Sequence, residues 1–342
     1  MIHTRGLTKT FHRKKEVVHA VNEVDLDVSA GELVAFLGPN GAGKSTTLRM
    51  LTSLLRPTAG TAMVAGADVV SEPATVRRRI GYIGQGNGAG HSYRLIDELH
   101  IQGSFYGLTP GESQRRATAL LPALQLEGLD KRPVMSLSGG QRRRLDVAMG
   151  LMNHPALLFL DEPSTGMDPQ GRANLWEHIM RMRDEFGMTL VLTTHYLEEA
   201  NDMAERVIVI DHGKVIADDS PDQLKVDHAT DVITLRFSST PEAELAKQTL
   251  RSDRRYASCL VEMDSEAVVL TTERGATHLP IVLYLLKAND SPPQAASIKE
   301  ATLDDVFLNL TGRSLRESDE HNESQDGTVS AATTTMDGAD VP

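Results

Sequence analysis

Four stretches hold residues whose types and spacing suit phosphate chemistry. GPNGAGKST at 38–46 fits the pattern G-x-x-x-x-G-K-[ST], with Gly38, Gly43, Lys44 and Ser45 at the defining places. Glycines let a backbone curl so that its N–H groups point inward at a polyphosphate, and a helix that opens where the loop ends adds its dipole. Pro39, Asn40, Gly41, Ala42 and Thr46 complete that cradle. Lys44 would set a point charge on the outer phosphates, and the Ser45 hydroxyl would ligate Mg²⁺. LLFLDEP at 157–163 is an apolar run that ends in two acids. A buried parallel strand there carries Asp161 at its carboxyl end, suited to the metal, and Glu162 beyond it is the candidate general base for an attacking water. Taken alone, such a run is also how an ordinary strand ends in solvated acids. SLSGGQRRR at 136–144 stands before an evident helix, so Ser138, Gly139, Gly140 and Gln141 offer a hydroxyl and open N–H groups to a second anion. A plain Ser-capped helix with an arginine-rich solvated face would read the same way. His195 follows the apolar run TLVLTT; a neutral imidazole can donate to a phosphate oxygen, although a lone histidine in that place is as readily structural.

The elements that must hold these residues are short apolar strands alternating with longer helical stretches up to about residue 217, the pattern of an α/β layer fold with a largely parallel sheet. The strands are expected at 33–37, 79–83, 157–160, 189–193 and 206–210, so the glycine loop, the acid pair and His195 lie at or just past strand ends, while SLSGGQRRR does not. From 93 to 152 the strands give way to helical patterns, read as a helical insertion broken at Pro110-Gly111 and Pro133. Two short strands around His212-Gly213 and a helix capped by Ser220 close a first domain at about residue 225. From 230 to 312 the order β-α-β-β-α predicts a small α+β domain. Residues 313–342 carry 2 Arg against 7 acidic residues and almost no large apolar side chains, and are expected to be disordered.

The 342 residues, 40% hydrophobic and 24% charged, suffice for these two domains. A formal net charge of −12 argues against nucleic acid as a partner. The single cysteine, Cys259, can form no internal disulfide and is expected half-buried in a strand. The N-terminal stretch lacks the apolar segment of a secretory signal, and no run reaches the roughly 18–20 residues that cross a bilayer, so membrane association must come through a partner.

GPNGAGKST, Gln85, LSGGQ, LLFLDEP, STGMD at 164–168 and His195, in that order over residues 1–225, resemble the ATP-binding subunits of ABC transporters. The resemblance implies a P-loop NTPase fold of the ABC type and two ATP molecules sandwiched in a head-to-tail homodimer. Each ATP is then held by the P-loop of one subunit and the LSGGQ of the other. It further implies that Gln85 contacts the metal and relays nucleotide state to a membrane partner, that Asp168 communicates across the dimer, and that His195 contacts the γ-phosphate. Phe11 resembles the aromatic that stacks on adenine, with a core role or His12 as the competing readings. GQGNGAG at 84–90 reads as a flexible joint. The small second domain ending in ATLDDVFLNLTGR is similar to the daunorubicin/doxorubicin-resistance type of exporter ATPase, whose permease is a separate polypeptide. An ATPase motor of a drug exporter, cytoplasmic and peripheral on the inner face of the membrane, is therefore expected. Export of a lipid, glycan or peptide is the alternative cargo reading. A non-transport ABC ATPase is disfavoured, since the chain has neither two nucleotide domains nor a long coiled-coil insertion.

Overall fold

The computed structural model describes residues 1–13, 16–86, 88–90 and 92–312. The chain forms two compact units, Met1–Asp218 and Asp219–Ser318, the second described as far as Gly312. The acidic segment 313–342 lies outside the described residues.

The first unit runs β1 (Ile2–Arg13), β2 (Glu16–Val28), β3 (Leu33–Leu37), α1 (Lys44–Leu51), β4 (Ala59–Val64), β5 (Ala67–Asp68), α2 (Pro73–Arg79) and β6 (Ile80–Ile83). Three helices follow, α3 (Leu95–Phe105), α4 (Pro110–Ala123) and α5 (Gly139–Leu151), within the segment read from sequence as a helical insertion. The unit closes with β7 (Leu157–Asp161), α6 (Pro169–Phe186), β8 (Thr189–Thr194), α7 (Leu197–Met203), β9 (Arg206–Asp211) and β10 (Lys214–Asp219). The central sheet has the order β10-β9-β3-β8-β7-β6. Every residue of β3, β7 and β8 is buried, which is why these strands read as unbroken apolar runs: a parallel sheet is covered on both faces.

Register does the positioning. Leu37 pairs with Thr194, Thr193 with Asp161, and Leu160 with Ile83, all in parallel strands. The residues just past these strands, Gly38, Gln85, Glu162 and His195, therefore emerge along one edge of the sheet, the edge where open α/β sheets bind ligands.

A second, antiparallel sheet of order β2-β1-β4-β5 was not legible in the sequence. Register shifts between Thr4 and Leu7 and around Lys9 interrupt the two-residue alternation by which a half-buried strand is read. Its inward residues Ile2, Leu26 and Val64 pack with Leu48 of α1 and with Val34, Phe36 and Phe159 of the central sheet in one core. Full burial of each such side chain contributes about 1.5–3 kcal/mol.

The second unit runs α8 (Pro221–His228), β11 (Asp231–Arg236), α9 (Thr240–Ser252), β12 (Leu260–Asp264), β13 (Ala267–Thr272), α10 (Gly275–Ala288), β14 (Ala295–Lys299) and α11 (Leu303–Thr311). Its antiparallel sheet, β12-β13-β11-β14, buries Ile233, Leu235, Val268 and Leu270 against Ala246 and Leu250 of α9 and Val282 and Leu286 of α10. Two details differ from expectation. Helix α8, placed by sequence at the end of the first domain, clusters with the second unit, because it packs on α11, where Asn309 Nδ2 donates to His228 O at 2.8 Å. Cys259 is half-buried but sits one residue before β12 rather than within a strand. No helix among the described residues is long and apolar enough to cross a membrane.

Candidate active site

The loop after β3 turns back on itself through glycines that nothing else could replace. Gly43 has φ 109°, and a Cβ there would lie 2.4 Å from the carbonyl oxygen of Ala20; at Gly38 it would lie 2.1 Å from that of Ile210. Two backbone bonds brace the loop, Ala42 N to Pro39 O at 3.1 Å and Gly213 N to Ala42 O at 2.9 Å. Lys44 begins α1 and is 4% exposed; its Nζ donates to Gly38 O at 2.5 Å and Pro39 O at 3.1 Å. The ammonium thus lies along the concave loop, where an anion would compete for it with two neutral carbonyls. Asn40 and Gly41 are exposed at the loop's crest, and Ser45 and Thr46 are half-buried in the first turn of α1.

Asp161, fully buried at the end of β7, accepts from Ser45 Oγ at 2.8 Å and Thr193 Oγ1 at 2.8 Å on one oxygen, and from Tyr82 Oη at 3.3 Å on the other. The next residue, Glu162, leaves the strand in a left-handed conformation, φ 48°, fixed by its N–H bonding to Thr193 Oγ1 at 3.0 Å. That kink aims its side chain differently from the one before it. Strain of this kind in a non-glycine residue is tolerated where surrounding structure over-determines it. Oε2 of Glu162 accepts from Gln85 Nε2 at 2.8 Å and Thr165 Oγ1 at 3.2 Å. His195 Nδ1 lies 3.5 Å from the same oxygen and has no hydrogen-bond partner among the described residues. Burial by itself raises the pKa of Glu162, but the His195 contact, the charges of His195 and Lys44 and the Gln85 amide together outweigh it and hold the carboxyl below its ordinary value. Glu162 is therefore a carboxylate at neutral pH.

Gln85, Lys44, Ser45, Asp161, Glu162 and His195, separated by up to 151 positions in the chain, are thus brought into one cluster. The other expected residues stand in their own settings. Ser138 caps α5, with Gln141 N donating to its Oγ at 3.2 Å and Gln141 Oε1 accepting from Ser138 N at 3.0 Å. A methyl added at Gly139 would meet nothing within 4 Å, and one at Gly140 only Met167 Cε at 3.9 Å. Nothing in its own chain therefore requires glycine at either place. Asp168 caps α6, accepting from Gly171 N at 2.5 Å. Phe11 is 37% exposed on β1, with Lys9 Nζ 5.2 Å from its ring, so it is not a core residue.

Three residues escaped the sequence reading. Thr193 and Tyr82 complete the oxygen shell of Asp161. Arg143, the middle arginine of SLSGGQRRR, is 7% exposed rather than part of a solvated face. Its guanidinium donates to Pro163 O at 2.6 Å and Gly84 O at 2.8 Å, the residues flanking Glu162 and Gln85, and lies 3.7 Å from buried Asp146. The available signal was spacing, because Arg143 shares a helix face with Val147 and Leu151 at intervals of four, both buried. The glycine-rich stretch read as a flexible joint is also held: Gly88 N donates to Asp146 Oδ1 at 2.9 Å and Gly90 N to Glu98 Oε1 at 2.8 Å, with Asn87 outside the described residues.

A phosphate-binding loop, a buried acid pair at the end of a parallel strand and a capped glycine-rich helix start define a nucleotide-hydrolysing cassette. A family model for the ABC transporter domain matches residues 21–165. The daunorubicin/doxorubicin resistance ATP-binding protein DrrA of Streptomyces peucetius is 38% identical, over 91% of this chain and 92% of that protein. The doxorubicin resistance ATP-binding protein DrrA of Mycobacterium tuberculosis is 43% identical, over 90% and 92%. The Nod factor export ATP-binding protein I of Cupriavidus pinatubonensis is 37% identical, over 87% of each chain. Among solved structures, a dimeric ATP-binding cassette in a post-hydrolysis state with ADP and Pi is 27% identical with a TM-score of 0.59, covering 64% of this chain and 98% of that one. The chain belongs to the ATP-binding proteins of ABC transporters, and is an ATPase of that family.

Proposed function

We propose that the chain is the ATP-hydrolysing motor of a drug exporter, acting on the inner face of the cell membrane as a head-to-tail homodimer that drives a separate permease. The observation that carries the catalytic part is the arrangement at the end of β7. Asp161 meets Ser45 while Glu162, kinked away, faces Gln85 and His195. Lys44 exchanges its two carbonyl partners for the β- and γ-phosphates of ATP, and the loop Gly38–Thr46 supplies N–H groups around them. Phe11 offers an exposed ring for adenine. Ser45 and Asp161, which bond to each other, together with Gln85, which bonds to the adjacent Glu162, would hold Mg²⁺, which would supply charge neutralisation at the phosphates. The fit is chemical: the donors are hard oxygens, and magnesium takes one or two carboxylates plus phosphates rather than an all-protein cage. Glu162 accepts a proton from water, and His195, whose Nδ1 lies 3.5 Å from Glu162 Oε2, donates to the γ-phosphate.

Two further observations support the assembly. Gly139 and Gly140 have no steric reason within their own chain, which suits a helix start that a second copy's polyphosphate approaches closely. A groove of about 550 Å³ lined by Leu54, Arg77, Arg78, Tyr82, Gln102 and Phe105 leaves Phe105 79% exposed. Tyr82 belongs both to this groove and to the Asp161 shell, so a permease segment seated there would touch the catalytic edge. Drug cargo rests on likeness to the two resistance proteins, and likeness to the Nod factor export protein favours a cargo of the Nod factor kind as the second reading. The test is affinity purification of the tagged protein from detergent-solubilised native membranes, beside a Phe105→Asp variant. Stoichiometric recovery of a multi-span protein with wild type, and its loss with Phe105→Asp, is the expected result. Recovery of no membrane protein would overturn the exporter reading.

A further inference from the structure

One buried carboxylate outside the cluster around Asp161 and Glu162 carries an unusual number of donors. Glu199, in α7, is 3% exposed. Its Oε1 accepts one bond from Ser164 Oγ and another from Trp176 Nε1 at 3.0 Å; its Oε2 accepts from Thr194 Oγ1 at 2.8 Å. Arg172 Nε lies 3.9 Å from Oε1. Ser164, Trp176 and Thr194 are each no more than 2% exposed, so the whole group is removed from water. A buried carboxylate is tolerated only when its lone pairs are met by donors, and such networks are rigid for the same reason.

The three donors come from three segments. Ser164 opens the loop that runs from Glu162 to Asp168, Trp176 lies on the helix that Asp168 caps, and Thr194 immediately precedes His195. Thr194 Oγ1 also receives the N–H of Tyr196 at 2.9 Å, which closes the turn that presents His195. A second path runs in parallel. The N–H of Arg172 bonds to Asp168 O at 3.0 Å, its guanidinium carbon stacks 3.7 Å from the centre of the Tyr196 ring, and that ring lies 4.1 Å from the His195 imidazole.

We propose that Glu199 is a positioning residue for ATP hydrolysis. It fixes the turn carrying His195 to the loop carrying Asp168, so that engagement of that loop by a second copy and placement of His195 against the γ-phosphate occur together. This deepens the motor reading and rests on it. Glu199 reaches the reaction through Thr194 and Ser164 and itself touches no reacting atom.

The experiment uses full-length protein in three forms, wild type, Glu199→Gln and Thr194→Val, and measures steady-state ATP turnover, binding of a fluorescent ATP analogue and the emission of Trp176. The amide of Glu199→Gln keeps the shape but places N–H groups against donors; Thr194→Val removes one donor and keeps the volume. Each variant is expected to lose kcat about tenfold. The analogue's Kd stays within about twofold, because the phosphate loop is untouched, and Trp176 emission remains that of a folded protein. Should Glu199→Gln fail to fold, Thr194→Val alone decides, with an unchanged kcat refuting the proposal. Parallel loss of kcat, binding and the folded Trp176 signal would reduce Glu199 to a packing residue and equally refute it. If wild type turns over ATP and both variants match it, the proposal fails alone; if wild type does not turn over ATP, the motor reading fails first.

Discussion

Replacing Arg143 by Ala should separate one buried strut from two ordinary surface arginines beside it. The side chain is 8% exposed and its ion-pair partner Asp146 is 5% exposed, at 3.7 Å. Removing one member of a buried pair costs about 3–5 kcal/mol, because the other charge is left in a poor medium. Two carbonyls, on Pro163 and Gly84, lose their donors as well, at about 1–3 kcal/mol each where water cannot replace them. Two effects offset part of this. Burial already pushes the Asp146 carboxyl upward, so it can take a proton, and water can enter the vacated volume. A net loss of about 3–5 kcal/mol is expected. With a urea slope of about 1–3 kcal/mol/M, the unfolding midpoint falls by about 1 M or more. The chain has one tryptophan, Trp176, 2% exposed in the same unit, so intrinsic fluorescence reads the transition directly. Arg142 bonds to Leu137 O at 3.1 Å and Arg144 to Gln125 Oε1 at 3.0 Å, both nearer the surface, and their alanine variants should lose less than about 1 kcal/mol. ATP turnover should fall with Arg143→Ala alone, since its two strongest bonds hold the backbone beside Glu162 and Gln85. A midpoint within about 0.2 M of wild type, or equal losses at all three arginines, would refute the reasoning.

Glu162→Gln should lower kcat by about 10²–10⁴-fold while ATP binding persists, measured by turnover and by binding of a fluorescent analogue. Because the Glu162 pKa is held below its ordinary 4.5, the carboxylate contributes stability above that value; the stability advantage of wild type over Glu162→Gln should therefore shrink as pH falls below about 4.5, as followed by urea unfolding across the acid range. Gly43→Ala forces a Cβ to within 2.4 Å of Ala20 O at φ 109° and should destabilise by at least about 2 kcal/mol with loss of nucleotide binding. Gly139→Ala, which meets nothing within 4 Å, should leave stability unchanged or raise it by up to about 1 kcal/mol in thermal unfolding, and yet reduce turnover.

Much of the catalytic edge was legible because the requirements are local. A glycine loop before Lys44 and two acids after LLFL are patterns of adjacent residues, the kind a proposed phosphate and metal site calls for, and the parallel strands around them announce themselves by continuous apolar runs. Other features depend on distant chain. Thr193 reads as one more strand residue until β8 pairs with β7 and sets it against Asp161. The left-handed turn at Glu162 has no glycine or asparagine to signal it; the bond from its N–H to Thr193 creates it. Arg143 hid in a basic run because its partners are backbone carbonyls 20 and 59 positions away. The β1–β2 sheet escaped because its bulges change the phase of the alternation, and α8 was assigned to the wrong side of the boundary because its packing on α11 is invisible in local pattern.

The central claim is that SLSGGQ completes the nucleotide site of a second copy. Its most direct test is the mass in solution of the Glu162→Gln protein with and without Mg-ATP, beside the double variant that also carries Gly139→Asp. The account predicts a chain mass of 37.3 kDa without nucleotide, twice that with ATP, and no doubling once the Gly139→Asp change puts a carboxylate where the phosphate must approach. A mass unaffected by ATP, or a doubling that survives Gly139→Asp, would contradict it.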